Sequence, residues 1–407
     1  MDARTAELLR LTLIPGLGPV RISRLMRVMG SADRVLGASA AALSRVPGIG
    51  PKTAGLIAGG REKHEAEFEA ELERVEAAGA RVVSVGGPGY PSLLSALPGA
   101  PPVLYVCGEI QSDEADRFPV SIVGSRSCTA YGIEQAELFG GSLARAGMTV
   151  ISGGARGIDT AAHRGALRAG GRTVAVLGCG LGRCYPPENR ELFDAIADGQ
   201  GAVVSELPMA TEPDYKNFPA RNRLISGMSL GVVVIEAAKG SGALITARHA
   251  AEDHGREVMA VPGRVDSPAS EGSLGLLRQG GAHLVTSPSD VIAVLEQSGW
   301  HADRGTLGAF TPTTSGEDSL GADPAGTGTG PSGMRMPPKG EKAHKKTTLI
   351  QPESAEGRVL ETLTGARTMD QVISETGLSA AECGAAVTHL ELLGVVRRTG
   401  SGLERQC

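Results

Sequence analysis

Long apolar runs and metal-binding cysteine pairs are missing from this chain of 407 residues. No stretch is long and apolar enough to span a bilayer, and the N-terminal segment scatters its charges instead of presenting the apolar core of a signal peptide. The six cysteines include no CxxC pair, so we expect reduced packing thiols rather than zinc ligands or disulfides. These absences predict a cytoplasmic protein without a metal site and without a membrane partner.

Positive charge is also scarce, because 40 Lys and Arg residues stand against 45 Asp and Glu residues and give a formal net charge of -5. This balance excludes a generally basic nucleic-acid coat, but it permits a local basic groove. The glycine-rich loops do not fit GxGxxG, which disfavours a dinucleotide enzyme, and the absence of GxxxxGK[ST] excludes a P-loop NTPase. We expect no cofactor.

The chain is long enough for two or three domains. Its N-terminal region contains a tandem repeat. The segment "LIPGLGPVRISRLM" at residues 13–26 recurs as "RVPGIGPKTAGLIA" at residues 45–58. Each copy places two glycines before a proline and an apolar-periodic helix, which predicts a helix-hairpin-helix pair within a helical domain at residues 1–78. Two interpretations stay open here: contact with DNA phosphate, or a small helical bundle whose glycines only turn corners.

Residues 79–297 alternate short apolar runs with amphipathic segments, as in "TVAVLG", "GVVVIEA" and "ALITARHAAEDHG". Continuous apolar strands between helices indicate a parallel sheet covered on both faces. We therefore predict an α/β fold with an extended Rossmann-like, doubly wound parallel sheet. The β-rich runs at residues 81–85 and 103–107 are expected to begin it.

The C-terminal quarter changes character twice. Residues 298–354 are rich in Gly, Pro, Ser and Thr, which predicts a flexible linker. Residues 355–407 show three helical segments and a hairpin-like end, in the order of a winged helix. The charge from residue 356 onward is five arginines against seven acidic residues, and the third helical segment has no Lys or Arg. We favour a protein-contact role for this domain over strong DNA binding.

Two loops that follow strands have the composition of anion cradles. Ligands of open α/β sheets bind beyond the carboxyl ends of the strands, where such loops lie. In "GSRSCTAYG" a turn glycine precedes hydroxyls, including that of Thr129, and one arginine. In "SGGARGIDT" glycines are expected to expose backbone N–H groups, and Asp159 is expected to cap the next helix. The candidate residues of the two cradles are Gly124, Ser125, Arg126, Ser152, Gly153, Gly154 and Gly157.

A third loop, in "EPDYKNFPARNRLISGMS" at residues 212–229, supplies cations and an aromatic ring. Pro219 suits the first turn of a helix, so the residues just before it are expected on the loop and those just after it in the first turns. Several phosphate contacts and a flat ring fit a polynucleotide better than a mononucleotide. The candidates here are Lys216, Phe218, Arg221, Asn222 and Arg223.

Structural roles remain open for three of these residues. Arg221 and Arg223 could pair with Glu206, Glu236 or Asp159 to hold loops together, and Phe218 could pack the start of the helix. An enzyme is a further alternative, because the same three carboxylates could supply an acid–base pair for nucleotide hydrolysis. No nucleophile–base arrangement in the sequence supports it, so we expect no catalytic residues.

The central segments resemble, in order, the motifs of the DNA-processing protein A (DprA/Smf) family. They are "SIVGSRSCTAYG", "VISGGARGIDTAAHRGAL", "TVAVLGCGLGRCYPPEN", "SELP", "NFPARNRLISGMS", "VVVIEAAKGSGALITARHAAEDHGREVMAVPG" and "GLLRQGGAHLV". The match is dense over residues 118–285, and the flanking regions resemble the helical and winged-helix domains of that family.

The resemblance implies a single-stranded DNA-binding protein of natural transformation and recombination, a homodimer that protects incoming strands and loads RecA. It also implies that the twelve candidate residues of the three loops form the DNA pocket, with the match of Lys216 resting on a variable spacing. A scaffold for RecA with incidental DNA affinity is a further alternative. The sequence does not identify the dimer and RecA surfaces.

Overall fold

The computed structural model describes residues 1–111, 115–199, 201–297, 355–363 and 367–379, with Cys383, Ala386, Val387, Leu390 and the stretches 396–399 and 402–405. These residues form two compact units, one up to residue 297 and one from residue 355 onward. The predicted linker at residues 298–354 lies outside the described residues.

Six helices open the first unit and contain the predicted repeat. In both copies a glycine caps the helix and a proline occupies its first position: Gly18 and Pro19 in the first, Gly50 and Pro51 in the second. Proline suits this position because its missing N–H has no intrahelical partner there. The helices are α1 (Ala3–Leu13), α2 (Pro19–Met29), α3 (Ala32–Leu36), α4 (Ala40–Leu43), α5 (Pro51–Ile57) and α6 (Gly60–Ala77).

A nine-stranded sheet follows, in the order β1-β2-β6-β5-β4-β3-β7-β8-β9. The seven strands from β6 to β9 are parallel as predicted, whereas β1 and β2 join one edge in antiparallel pairing. The strands are β1 (Arg81–Ser84), β2 (Val103–Gly108), β3 (Pro119–Val123), β4 (Thr149–Ser152), β5 (Thr173–Val176), β6 (Gly201–Ser205), β7 (Gly231–Val234), β8 (Glu257–Ala260) and β9 (His283–Leu284).

Helices cover both faces of the sheet, as the continuous apolar strands predict. Val232 and Val234 of β7 join one buried cluster with the apolar side of the helix before it, while Val233 points into a second cluster on the opposite face. The helices are α7 (Ser92–Ser95), α8 (Ala130–Arg145), α9 (Ile158–Arg168), α10 (Arg190–Ala197), α11 (Asn217–Gly227), α12 (Gly242–Arg248), α13 (Glu271–Arg278) and α14 (Pro288–Gln297). A π-helical turn, His249–Asp253, extends α12, and 3₁₀ turns precede α10 and α13.

The six N-terminal helices share a core with the sheet. Val103 and Tyr105 of β2 pack into the apolar cluster of the tandem repeat. The buried carboxylate of Glu71 in α6 accepts a hydrogen bond at 2.6 Å from the backbone N–H of Met209, in the loop between β6 and α11. The helices therefore support that loop, and the boundary between residues 78 and 79 stays a prediction.

The second unit contains α15 (Ala355–Thr362) and α16 (Met369–Thr376), followed by an antiparallel hairpin of β10 (Val396–Thr399) and β11 (Gly402–Arg405). A Thr368–Gln371 capping box starts α16. Most of the third predicted helix lies outside the described residues, but four of its side chains join the buried cluster of this unit: Cys383, Ala386, Val387 and Leu390. Helices followed by a hairpin agree with the predicted winged helix.

The sequence predicts neither membrane-spanning segments nor disulfides. Within the described residues, the structure has no helix with the length and apolarity needed to cross a membrane. The five described cysteines form no disulfide. Burial raises the pKa of the Cys179 thiol to about 11, which keeps it protonated at neutral pH.

Candidate nucleic-acid interface

A cavity of about 680 Å³ opens at the carboxyl edge of the parallel strands. Strand β3 lies between β4 and β7. The chain adds β4, β5 and β6 on one side of β3 and then adds β7, β8 and β9 on the other side, so the strand order reverses at β3. This reversal creates the crevice in which open α/β sheets bind ligands. The loop after β3, the loop after β7 and the start of α11 all line this crevice.

The loop after β3 is fastened to the end of β7 by a buried carboxylate. Glu236 accepts hydrogen bonds from the Thr129 backbone N–H at 2.7 Å and from the Thr129 hydroxyl at 2.9 Å, and the backbone N–H of Ser125 donates to the Glu236 carbonyl. The hydroxyl of Thr129 is therefore engaged within the protein. Gly124, Ser125 and Arg126 line the cavity.

The loop after β4 is closed by its own acidic residue. The side chain of Asp159 accepts hydrogen bonds from the backbone N–H groups of Gly153 at 3.1 Å and Ala155 at 3.3 Å. The expectation that Gly153 exposes its N–H is wrong for this reason, and Asp159 holds the loop in place of capping the helix. Ser152 is buried as well, and its hydroxyl donates to the Ile122 carbonyl.

Glycine is required where the two loops touch. A Cβ on Gly124 would lie 2.5 Å from Cγ1 of Ile158, and a Cβ on Gly157 would lie 2.4 Å from the Ser125 carbonyl oxygen. The backbone N–H of Ile158 also donates to that oxygen at 3.2 Å. Gly124 and Gly157 therefore set the spacing between the loops, whereas Gly154 lies buried beneath them.

Helix α11 begins at Asn217, two residues earlier than its proline suggests. Phe218 is consequently in the first turn, and the expectation that it lies on the preceding loop is wrong. Its ring is half-buried: the ring centroid of Tyr185 lies 5.3 Å away, and the guanidinium carbon of Arg126 lies 5.0 Å from the Phe218 centroid. Phe218 therefore supports Arg126 at the cavity wall.

Arg221 forms the floor of the cavity. Only 4% of its surface is exposed, and Nη1 donates to the carbonyls of Gly153, at 2.7 Å, and Val176. Burial lowers the pKa of Arg221 to about 10, so the side chain stays charged at neutral pH. Burial also raises the pKa of Asp159, an effect that the charge of Arg221 opposes. The two groups thus compensate each other around the Gly153 peptide.

Arg223 does not line the cavity. Its guanidinium pairs with Glu206 and donates to the Gly99 carbonyl at 3.1 Å, so the loop-holding alternative for this arginine is confirmed. Asn222 does line the cavity, where its side-chain amide donates to the Gly242 carbonyl at 3.2 Å. The structure thus separates two arginines that are only two positions apart.

Exposed cations stand at the rim of the cavity. The guanidinium of Arg126 is exposed and forms no ion pair with any described residue. Lys216, just before α11, is exposed outside the cavity lining, with Nζ 5.5 Å from the Tyr215 ring centroid. Lys239, in the loop after β7, is exposed and also lines the cavity. The rim is therefore positively charged.

The sequence-based list omits several cavity-lining residues, among them one cation and two aromatic side chains: Lys239, Tyr185 and Tyr215. Lys239 follows a strand in "VVVIEAAKGSG", so the rule that selected the other loops also applies to it. Tyr215 directly precedes Lys216. Nothing local in the sequence distinguishes Tyr185 as a partner of Phe218.

The carboxylates named for the enzyme alternative are engaged in the framework. Glu236 binds Thr129, Asp159 binds loop N–H groups, and Glu206 pairs with Arg223. His163 is fully buried against the Thr173 hydroxyl, and burial lowers its pKa to about 3. No cluster of His, Cys, Asp and Glu that could hold a metal ion occurs in the part of the chain that the structure describes.

Family comparisons match all three regions of the chain. The DNA recombination-mediator protein A family matches residues 81–296, which is more than half of the chain. The DprA winged helix domain matches residues 343–402, and the SAM-like helix-hairpin-helix tandem matches residues 8–58.

Individual relatives give the same pattern. Protein Smf of Synechocystis is 34% identical over 391 residues, which is 94% of each chain. DNA processing protein DprA of Streptococcus pneumoniae is 42% identical over 208 residues, covering 51% of this chain and 71% of the relative. The X-ray structure of DprA from Streptococcus pneumoniae superposes with a TM-score of 0.62 at 33% identity and covers 72% of this chain and 98% of that one.

Proposed function

Since the chain belongs to the DNA recombination-mediator protein A (DprA/Smf) family, we propose that it binds single-stranded DNA at the carboxyl-edge cavity. The observation that supports this most is the exposed Arg126, held over Phe218 at the mouth of an open cavity without a carboxylate partner among the described residues. A cation held ready in this way suits a phosphate group.

Charge and shape favour a polynucleotide over a small anion. Arg126 and Lys239 line the cavity from two different loops, and the exposed Lys216 adds a third cation just before α11. Spaced, exposed cations suit successive phosphates, and phosphate contacts carry no sequence information. Phe218 is proposed to touch a base with the exposed part of its ring. Binding is therefore sequence-tolerant, salt-sensitive and selective for unpaired strands.

The remaining candidate residues shape the cavity in this proposal. Gly124, Ser125, Gly157 and Asn222 place the walls, and Arg221 forms the floor. The loop that Arg221 contacts through the Gly153 carbonyl contains the buried residues Ser152, Gly153 and Gly154. Arg223 acts indirectly and not as a ligand contact, because its ion pair with Glu206 fastens the loop that leads to α11.

We further propose the cellular role that the family resemblance implies. The protein acts as a cytoplasmic homodimer in natural transformation and homologous recombination, protects incoming strands and loads RecA onto them. In this proposal it catalyses no reaction, since the three carboxylates named for the enzyme alternative are engaged by Thr129, by Arg223 and by loop N–H groups.

Paired binding titrations test the proposal. Single-stranded and duplex oligonucleotides of the same length are titrated with the purified protein, and nucleotide hydrolysis is assayed in the same samples. We expect clearly tighter binding of the single strand and no hydrolysis. Equal affinity for the duplex would overturn the single-strand assignment, and turnover of nucleotides would favour the enzyme alternative. RecA filament formation on coated single strands, with the wild type and Arg126→Ala compared, tests the loading role.

A further inference from the structure

We propose that Tyr215 is a second base-stacking residue of the cavity, an inference that rests on the proposed single-strand function. Tyr215 lines the cavity, and 76% of its surface is exposed. Exposed large apolar side chains that line a concave site are candidates for ligand contact, because their burial by a ligand is favourable. Aromatic residues make up only 3% of the chain, so this exposed ring is a scarce feature.

The backbone below Tyr215 is fixed while its ring stays accessible. The residues 214–217 form a turn in which the Asn217 N–H donates to the Asp214 carbonyl at 3.0 Å. The Asp214 carboxylate also accepts from the Lys216 N–H at 2.9 Å. Tyr215 is the second residue of this turn. An anchored backbone lowers the conformational entropy lost when the ring orders on a ligand.

Phe218 offers less surface than Tyr215. Tyr185 and Arg126 both lie against the Phe218 ring. The ring also packs closely on Gly178, because a Cβ built on Gly178 would lie only 2.7 Å from Cδ1 of Phe218. Among the described residues, the charged or aromatic group that lies against the Tyr215 ring is the Lys216 ammonium, with Nζ 5.5 Å from the ring centroid. A base can therefore stack on Tyr215 while Lys216 contacts the adjoining phosphate.

The partner identified by this chemistry is an unpaired nucleobase. Stacking on a ring accepts any base, because every base has a π face, so Tyr215 contributes affinity without sequence preference. It also discriminates against a duplex, in which the faces of the bases are already stacked.

Oligonucleotides without bases separate stacking from phosphate contacts. We compare a thymidine oligonucleotide with an abasic strand of equal length on the full-length wild type, Tyr215→Ala and Tyr215→Phe. Tyr215→Ala is expected to weaken thymidine binding by at least about fivefold, the lower limit for one stacked base. Abasic binding stays unchanged, and Tyr215→Phe restores the wild-type preference.

Tyr131→Ala is the matched control, because Tyr131 is also exposed but lies on α8 outside the cavity lining. Its two affinities should equal those of the wild type. An unchanged thymidine affinity in Tyr215→Ala, or an equal loss on both strands, would overturn the stacking role. A wild type that binds neither strand would instead refute the proposed function.

A tryptophan at this position provides a second readout. We expect the fluorescence of Tyr215→Trp to be quenched by the thymidine strand and unaffected by the abasic strand. The wild type, with Trp300 alone, gives the background signal. Equal quenching by the two strands would contradict stacking.

Discussion

The floor of the cavity and its rim each present an arginine, and the two have opposite surroundings. Arg221 on the floor is buried, donates to two backbone carbonyls and is balanced by Asp159. Arg126 on the rim is exposed and has an aromatic neighbour without an ionic partner among the described residues. The two arginines therefore have different roles that follow from their burial: the buried Arg221 maintains the cavity, and the exposed Arg126 is available to bind the ligand.

The largest effect is expected when the floor is broken. Arg221→Met leaves the Gly153 and Val176 carbonyls without their donor and Asp159 without its nearest cation. Removing one partner from a buried charged group costs about 3–5 kcal/mol of unfolding free energy. Urea denaturation measures this change. Arg126→Met is the matched control on the rim and should stay within about 0.5 kcal/mol of the wild type. Similar losses in the two variants would erase the distinction between floor and rim.

A smaller loss of stability is expected when the buried His163 takes up a proton. Helix α9 carries both Asp159 and the buried His163, and burial lowers the pKa of His163 from its ordinary value of 6.5 to about 3. The unfolded chain binds the proton at a higher pH than the folded chain does, so stability falls as the pH drops below 6.5. The loss at pH 5 is about 2 kcal/mol.

Urea titrations of the wild type and His163→Gln at several pH values test this effect. Below pH 6.5, the unfolding free energy of the wild type should fall more steeply with decreasing pH than that of the variant. The difference in slope should be about 1.4 kcal/mol per pH unit. Parallel pH profiles for the two proteins would show that His163 does not carry it.

Phe218 lies between floor and rim, and its replacement is expected to affect both. Phe218→Ala should weaken single-strand binding by at least about 1 kcal/mol, from the lost base contact and the lost support of Arg126. Melting temperature and oligonucleotide affinity, measured on the same variant, separate the two roles. A large drop in melting temperature with normal affinity of the folded fraction would assign Phe218 to the floor alone.

The smallest effect on affinity is expected from removing the second unit, because it carries more acidic residues than arginines. Deleting residues 356–407 removes five arginines and seven acidic residues, so single-strand affinity should change by less than about 0.5 kcal/mol. Titration of the truncated protein measures it. Loss of most of the affinity would move the DNA contact from the rim to the winged helix.

The sequence predicted the features that depend on local pattern. Apolar runs predicted the parallel strands, the tandem glycine–proline repeat predicted the capped helices, and the carboxyl-edge rule brought the loops around Arg126 and Asp159 together. The same rule, applied to the loop after β7, would also have selected Lys239.

Depth could not be predicted in the same way. Arg221 and Arg223 lie in one helical turn, and their surroundings depend on how Leu224 and Ile225 seat α11 on the sheet. The carbonyls and carboxylates that engage them come from distant segments. The exposure of Tyr215 depends on the Asp214 turn, which composition alone does not reveal.

The salt dependence of single-strand binding by a double rim variant tests the central claim most directly. Each cation that neutralises a phosphate contributes about 0.7 to the slope of log K against log salt for a single strand. Arg126→Ala combined with Lys239→Ala should therefore lower that slope by about 1.4 while the urea midpoint stays at the wild-type value. An unchanged slope in the folded double variant would contradict the assignment of DNA binding to the rim.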